Sequence, residues 1–214
     1  DGLEKNRIRG KLEKILKIPG EHNLSNSLAA YTLAKVLGIK EKDIFNAVSG
    51  YRGAWRRMEY RGQLITHNSK LKTHIYDDYA HHPTEIKATL AGIAQKWPKT
   101  AIICVFQPHQ AQRLSALFKE FTGAFDNADV LILLDIFKVK GRANVSHNIN
   151  SKKLTEAIKK RKSSPTVLYL KNPKNLKKEI KNSLNSKSYI LNSRAIIIMM
   201  GAGDIYKLTD KLIR

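Results

Sequence analysis

The chain is poor in cysteine, with one in 214 residues, and poor in acid, with 18 Asp and Glu against 39 Lys and Arg. Each shortage excludes something. A lone cysteine closes no internal disulfide, so burial alone must hold the fold. Cys104 lies inside the apolar run Ala101-Ile102-Ile103-Cys104-Val105-Phe106. It reads as a core thiol in a reducing cytoplasm, and a buried apolar thiol is a poor nucleophile. No apolar run reaches the roughly eighteen residues that a membrane span needs. The opening Asp1-Gly2-Leu3-Glu4-Lys5 lacks the apolar core of a signal peptide.

The shortage of acid leaves a net charge of +21, which invites a nucleic-acid reading. The rest of the chain argues against it, because no zinc-finger, RNP or basic-zipper pattern occurs. The lysine clusters at Lys152-Lys153, Lys159-Lys160-Arg161-Lys162 and Lys171 to Lys181 sit in helix-like segments with few aromatics. They read as a solvated face, and anionic small molecules such as nucleotides fit the charge equally well. Also missing are a Gly-x-x-x-x-Gly-Lys-[Ser/Thr] phosphate loop, internal repeats and long low-complexity tracts.

An apolar content of 42% supports a buried core, and the length suits one domain, or one domain plus a piece of another. The first sixty residues form one pattern. Pro19-Gly20 breaks the chain and Asn23 opens a helix whose buried face is Leu24, Leu28 and Tyr31, extended by Leu33, Val36 and Leu37, with Gly38 as C-cap. A short helix over Glu41 to Ser49 follows, and Tyr51 to Tyr60 reads as a connector. Beyond it strands and helices alternate. Apolar strands are expected at Ala101–Phe106, Val130–Ile136, Thr166–Leu170 and Ala195–Met200, and helices at Gln112–Phe125, Ser151–Lys160, Asn175–Ser183 and Ile205–Ile213. Arg161–Ser164 and Asn182–Ser188 read as loops. The alternation predicts an α/β fold, a mainly parallel sheet covered by helices.

The residues able to carry chemistry gather where strands hand over to helices. Ile75-Tyr76-Asp77-Asp78-Tyr79-Ala80-His81-His82-Pro83-Thr84-Glu85-Ile86 ends a strand and starts a helix with buried face Ile86, Leu90, Ile93 and Trp97. In α/β folds that junction faces the ligand crevice. Asp78 suits ribose hydroxyls or a metal-bound water, and His81 suits a carboxylate or phosphate. His82, directly before Pro83, suits an N-cap, and two adjacent histidines without cysteine do not suit zinc. In Gly20-Glu21-His22-Asn23-Leu24-Ser25-Asn26 the carboxamides of Asn23 and Asn26 share a helical face and match an adenine edge, while an N-cap role explains Asn23 as well. In Arg56-Arg57-Met58-Glu59 a guanidinium fork suits phosphate, or pairs on the surface with Glu59 or Glu13. Phe106-Gln107-Pro108-His109-Gln110-Ala111-Gln112-Arg113 brings His109 and Arg113 to the crevice of His81 if the two strands are neighbours; a polar helix start explains them too. Gly201-Ala202-Gly203-Asp204 fits either a phosphate turn or a tight bend.

In this order, these motifs resemble the Mur ligases, and most closely the branch that adds L-alanine to UDP-N-acetylmuramate in peptidoglycan precursor synthesis. The resemblance spans essentially the whole chain. It implies that residues 1–58 are the end of the family's central ATP-binding domain and 59–214 its C-terminal, Rossmann-like domain. It implies ATP and magnesium, an acyl phosphate and its capture by the amine. The implied contacts are Asn26 with adenine, Asn23 and His22 beside it, Arg57 with the phosphates, Asp78 with ribose, and His81, His109 and Arg113 with the alanine and acyl-phosphate end. The family's N-terminal UDP-binding domain, its phosphate loop and its magnesium ligands have no counterpart here, so the resemblance implies an incomplete ligase, inactive alone. Gln110 stands where the family often has a second arginine.

Overall fold

The computed structural model describes residues 2–64, 72–137, 149–163, 165–185 and 194–213. Helices α1 (Gly2–Ile15), α2 (Glu21–Val36) and α3 (Glu41–Gly50) come first. They close a small core of their own from Ile8, Leu12, Leu24, Tyr31 and Ile44. Then come β1 (Glu59–Leu64), β2 (Lys72–Asp78), α4 (Pro83–Lys96), β3 (Ala101–Phe106), α5 (Ala111–Ala116), α6 (Phe118–Thr122) and β4 (Val130–Leu134). The chain continues with α7 (Ser151–Lys159), β5 (Thr166–Leu170), α8 (Leu176–Asn185), β6 (Arg194–Met200) and α9 (Tyr206–Ile213).

The strands form one sheet in the order β1-β2-β6-β3-β4-β5. β1 runs antiparallel to β2, and the other pairings are parallel. Helices cover both faces, as the alternation of patterns predicts. Every residue of β3 and β4 is buried, which is why both read as unbroken apolar runs. Cys104 is fully buried and burial pushes its thiol far above the usual range. On one face Ile86, Leu90 and Ile93 of α4 pack with Phe106, Phe121, Leu154 and Ile158. On the other, Ile180 and Leu184 of α8 and Leu212 of α9 pack on Ile75, Val105, Ile197 and Met199.

Several sequence expectations are corrected. The helix expected to open at Asn23 starts at Glu21, with Gly20 as its N-cap residue. Its far end is solvent-facing: Leu33, Val36 and Leu37 are 61%, 79% and 69% exposed, because the unit's few helices cover only the face of Leu24 and Tyr31. Gly38 ends the helix as predicted. At φ 78° it donates its N–H to Lys35 O, while Ile39 donates to Ala34 O, the paired bonds of a Schellman motif. The single helix expected over Gln112–Phe125 is broken at Leu117. The break lets Phe121 and Phe125 turn onto the ring of Phe106. The strand expected to reach Ile136 stops at Leu134, and Asn182 to Asn185 belong to α8 rather than to a loop; positions 186–188 lie outside the described residues. Trp97 caps α4 and stays partly exposed.

The edge strand β1 carries a bulge between Tyr60 and Gly62. The extra residue, Arg61, pairs with Asp77 and reaches Asp210 at 2.7 Å. β1 and α9 are thereby tied to β2 by charge.

The helical unit docks on α4 through two glycines. A Cβ added to Gly92 would lie 2.7 Å from Gly20 Cα, so only a bare backbone fits. Lys96 adds a hydrogen bond to Lys17 O. A cleft of about 240 Å³ opens along this seam between Leu16, Ile18, Leu24 and Lys96.

Because the obstructing atom is backbone, Gly92→Ala is expected to lower stability by about 1–3 kcal/mol in urea unfolding. Val36→Lys, on the uncovered end of α2, should change it by less than about 0.5 kcal/mol. Equal midpoints for Gly92→Ala and the parent would contradict the glycine contact.

Candidate functional site

β2 ends with two aspartates on opposite faces of the sheet. Asp77, 1% exposed, accepts a hydrogen bond from Thr209 Oγ1 at 2.5 Å and pairs with Arg61. Burial raises its carboxyl above the usual range, against the pull of Thr209 and Arg61. Asp78, 3% exposed, faces the connector. Its Oδ1 accepts the Ala80 N–H at 2.8 Å and its Oδ2 the Met58 N–H at 3.0 Å. Burial raises this carboxyl too, opposed by those N–H groups and by Arg57.

Beyond Asp78 the chain turns into α4, with Pro83 in its first turn. His82 caps the helix as predicted, its Nδ1 accepting the Thr84 N–H at 3.3 Å. Glu85 Oε2 closes the capping box, accepting the N–H groups of His81 and His82 at 3.0 and 3.1 Å. Burial by itself would raise Glu85, but those N–H groups and Arg57 carry it below the usual carboxylate range. His81 Nδ1 lies 3.0 Å from Tyr79 O and 3.4 Å from Glu85 Oε2, and its ring meets Tyr79 edge-on at 5.3 Å.

His22 reaches this cluster from the helical unit. Its ring folds over Gly20, where a Cβ would lie 2.7 Å from His22 Cε1. Partial burial and then Arg57 lower its pKa, with Glu85 opposing. His22, Arg57, Asp78, His81 and Glu85 therefore act on one another where the helical unit meets the end of β2. Asn23 and Asn26 lie next to His22 on α2. Asn23 is not the N-cap: it sits inside the helix, and its Nδ2 donates to Pro19 O at 2.6 Å. Its Oδ1 is the atom it can offer a ligand. Asn26 is exposed one turn further on.

The arginine pair divides its work. Arg57 is exposed, its guanidinium 5.6 Å from the Tyr79 ring. Arg56, indistinguishable from it as a letter, is 2% exposed. Its guanidinium lies 5.5, 5.0 and 4.9 Å from the rings of Trp55, Tyr79 and Tyr206 and donates to Gly201 O. Glu59 accepts the Arg56 backbone N–H at 2.9 Å rather than pairing with its side chain.

His109 and Arg113 stand further off. The end of β3 is not a neighbour of β2, because β6 runs between them. That puts the two ends about 10 Å apart at the usual strand spacing. His109 stacks on Phe137 at 5.5 Å and 15°, and Phe137 N–H donates to Pro108 O at 2.8 Å. Arg113 Nη1 is buried without a hydrogen-bond partner. The turn after β6 is tight as expected: Gly201 has φ 148°, and a Cβ there would lie 2.6 Å from Gln107 O. A Cβ on Gly203 would meet Phe137 at the same 2.6 Å.

Sequence reasoning missed Arg56 and the role of Glu85. The spacing His82-x-x-Glu85 carried a signal for the second, being a capping box with histidine in place of serine. Nothing in an arginine doublet says which member is buried. Among the described residues no group of three His, Cys, Asp or Glu could hold a metal ion, and no helix is long and apolar enough to cross a membrane.

The chain is similar to known proteins over most of its length. A UDP-N-acetylmuramate–L-alanine ligase of Clostridium kluyveri is 42% identical over 195 residues, covering 91% of this chain and 39% of that protein. One from Clostridium botulinum is 38% identical over 198 residues, covering 92% and 39%. The chain thus spans about two fifths of the length of these relatives. The crystal structure of UDP-N-acetylmuramate-alanine ligase from Thermotoga maritima shares the fold, with a TM-score of 0.68 at 24% identity over 92% of this chain and 38% of that one. The family model described as "Mur ligase, glutamate ligase domain" matches residues 56–203. Arg57, Asp78, His81 and Glu85 at the end of β2 lie within that match, and the chain belongs to the Mur ligase family.

Proposed function

We propose that this chain is the C-terminal portion of an ATP-dependent ligase joining L-alanine to the carboxylate of UDP-N-acetylmuramate in peptidoglycan precursor synthesis. In that reaction ATP phosphorylates the carboxylate, the alanine amine attacks the acyl phosphate, and phosphate leaves as the amide forms. The reading rests on one observation above all: the connector before β1 is bonded to the end of β2, with the Met58 N–H on Asp78 Oδ2 at 3.0 Å and the Arg57 guanidinium 5.6 Å from the Tyr79 ring. The names of the relatives supply the substrates.

The division of labour follows from the atoms on offer. Asn26 and the free Oδ1 of Asn23 suit the adenine edge, whose amino group donates, with His22 alongside. Arg57, which is exposed, offers a fork to the phosphates. Each Asp78 oxygen keeps a lone pair beyond its backbone bond and can accept a ribose hydroxyl once the two units close on the nucleotide. His81, His109 and Arg113 would face the alanine and acyl-phosphate end, the unpaired Arg113 Nη1 being suited to an anion. Residues 1–58 serve as the end of the ATP-binding domain and 59–214 as the C-terminal domain. Magnesium would accompany the ATP, with its ligands supplied by the remainder of the ligase, since no group of three His, Cys, Asp or Glu among the described residues could hold it.

Two experiments test the assignment in the full-length protein. Arg57→Ala should lower kcat/KM for ATP by about a hundredfold or more, the scale expected for a lost phosphate contact; near-normal turnover refutes the role. Offered L-alanine or a tripeptide, the enzyme should prefer L-alanine, and preference for the tripeptide would move it to another branch of the family. Salt-sensitive retention of mixed-sequence DNA at physiological ionic strength would instead favour a basic nucleic-acid-binding module.

A further inference from the structure

Arg57 is flanked by two residues in a backbone conformation that side chains disfavour. Arg56 has φ 52° and Met58 φ 50°, and such left-handed residues persist only where the surroundings impose them. Two sets of bonds impose these. The Met58 N–H is taken by Asp78 Oδ2 at 3.0 Å. Arg56 is held at three places: its N–H by Glu59, its carbonyl by the Tyr79 N–H at 2.6 Å, and its guanidinium by Gly201 O and three aromatic rings. Arg56 Nε is buried and has no hydrogen-bond partner. The ring faces and one carbonyl therefore bear most of the desolvated cation.

The ring of Tyr79 is shared. Arg56 lies 5.0 Å and Arg57 5.6 Å from its centre, and His81 meets it edge-on. Two guanidinium groups on one ring repel each other. Arg56 takes the buried side of the ring, and Arg57, which is exposed, keeps its guanidinium accessible to an anion.

We infer that Arg56 is a positioning residue for nucleotide binding: caged by Trp55, Tyr79 and Tyr206 and tied to Gly201, it fixes the backbone that presents Arg57. The inference rests on the proposed phosphate role of Arg57. It predicts a specificity of effect that a merely stabilising arginine would not show.

The test is a double-mutant cycle in the full-length ligase with Arg56→Gln, Arg57→Gln and the pair, reading KM for ATP and for L-alanine separately. Arg56→Gln should raise KM for ATP about tenfold and leave KM for L-alanine within about twofold, and the pair should be no worse than Arg57→Gln alone. Arg56→Lys keeps the charge without the planar fork and should recover less than about half of the loss; it also serves if the glutamine variant does not fold. Additive effects in the cycle, or an unchanged KM for ATP in both Arg56 variants, overturn the inference while leaving Arg57 in place. An Arg57→Gln enzyme with unchanged KM for ATP removes the phosphate role and the inference with it.

Discussion

The crevice depends on one buried carboxylate. Asp78 is the last residue of β2, yet one of its oxygens accepts a hydrogen bond from Met58, twenty residues earlier, and the other from Ala80. A carboxylate with 3% exposure has little water to fall back on, and an unmet buried charge is among the costliest defects a fold can carry. The connector must therefore lie against the strand end. The Tyr79 N–H bond to Arg56 O runs in the opposite direction and closes the seam. Everything placed beyond that seam, from His22 to Glu85, takes its position from it.

Much of this was legible in the sequence. The apolar runs of β3, β4 and β6 and the periodicity of α4 fixed the α/β reading, because fully buried strands and one-faced helices leave strong patterns. The sites at strand ends were also visible, since polar residues concentrate there for a chemical reason. The edge strand β1 was not. Its residues Glu59 to Leu64 are half-exposed and bulged, so they show no clean alternation. Sheet order was out of reach as well. Placing β6 between β2 and β3 is a matter of long-range pairing, and that single fact moves His109 away from His81.

The burial of Arg56 was hidden for a different reason. Trp55, Tyr79 and Tyr206 lie far apart in sequence, and a cation–π cage has no spacing rule. The exposure of Leu33, Val36 and Leu37 shows the converse limit. Periodicity says which face of a helix is apolar, not whether anything covers it. The net charge of +21 proved the least informative number. At the crevice the working charges are a few closely held groups, while the lysines of α7 and α8 line outward faces.

The position of β6 has a consequence for how the protein is made. β6, which completes the centre of the sheet, follows β1 to β5 along the chain, and the Gly201 turn that receives Arg56 comes after it. Until residues 194–200 have been added, β2 and β3 have no shared neighbour, and two long apolar edges stand open. Open edges of that kind invite pairing with other chains, and non-local parallel pairing is slow. A nascent chain interrupted shortly before β6 would hold Asp78, His81 and Glu85 but lack the Gly201 carbonyl that receives Arg56. The seat of Arg56 is thus completed only after the groups it supports have been made.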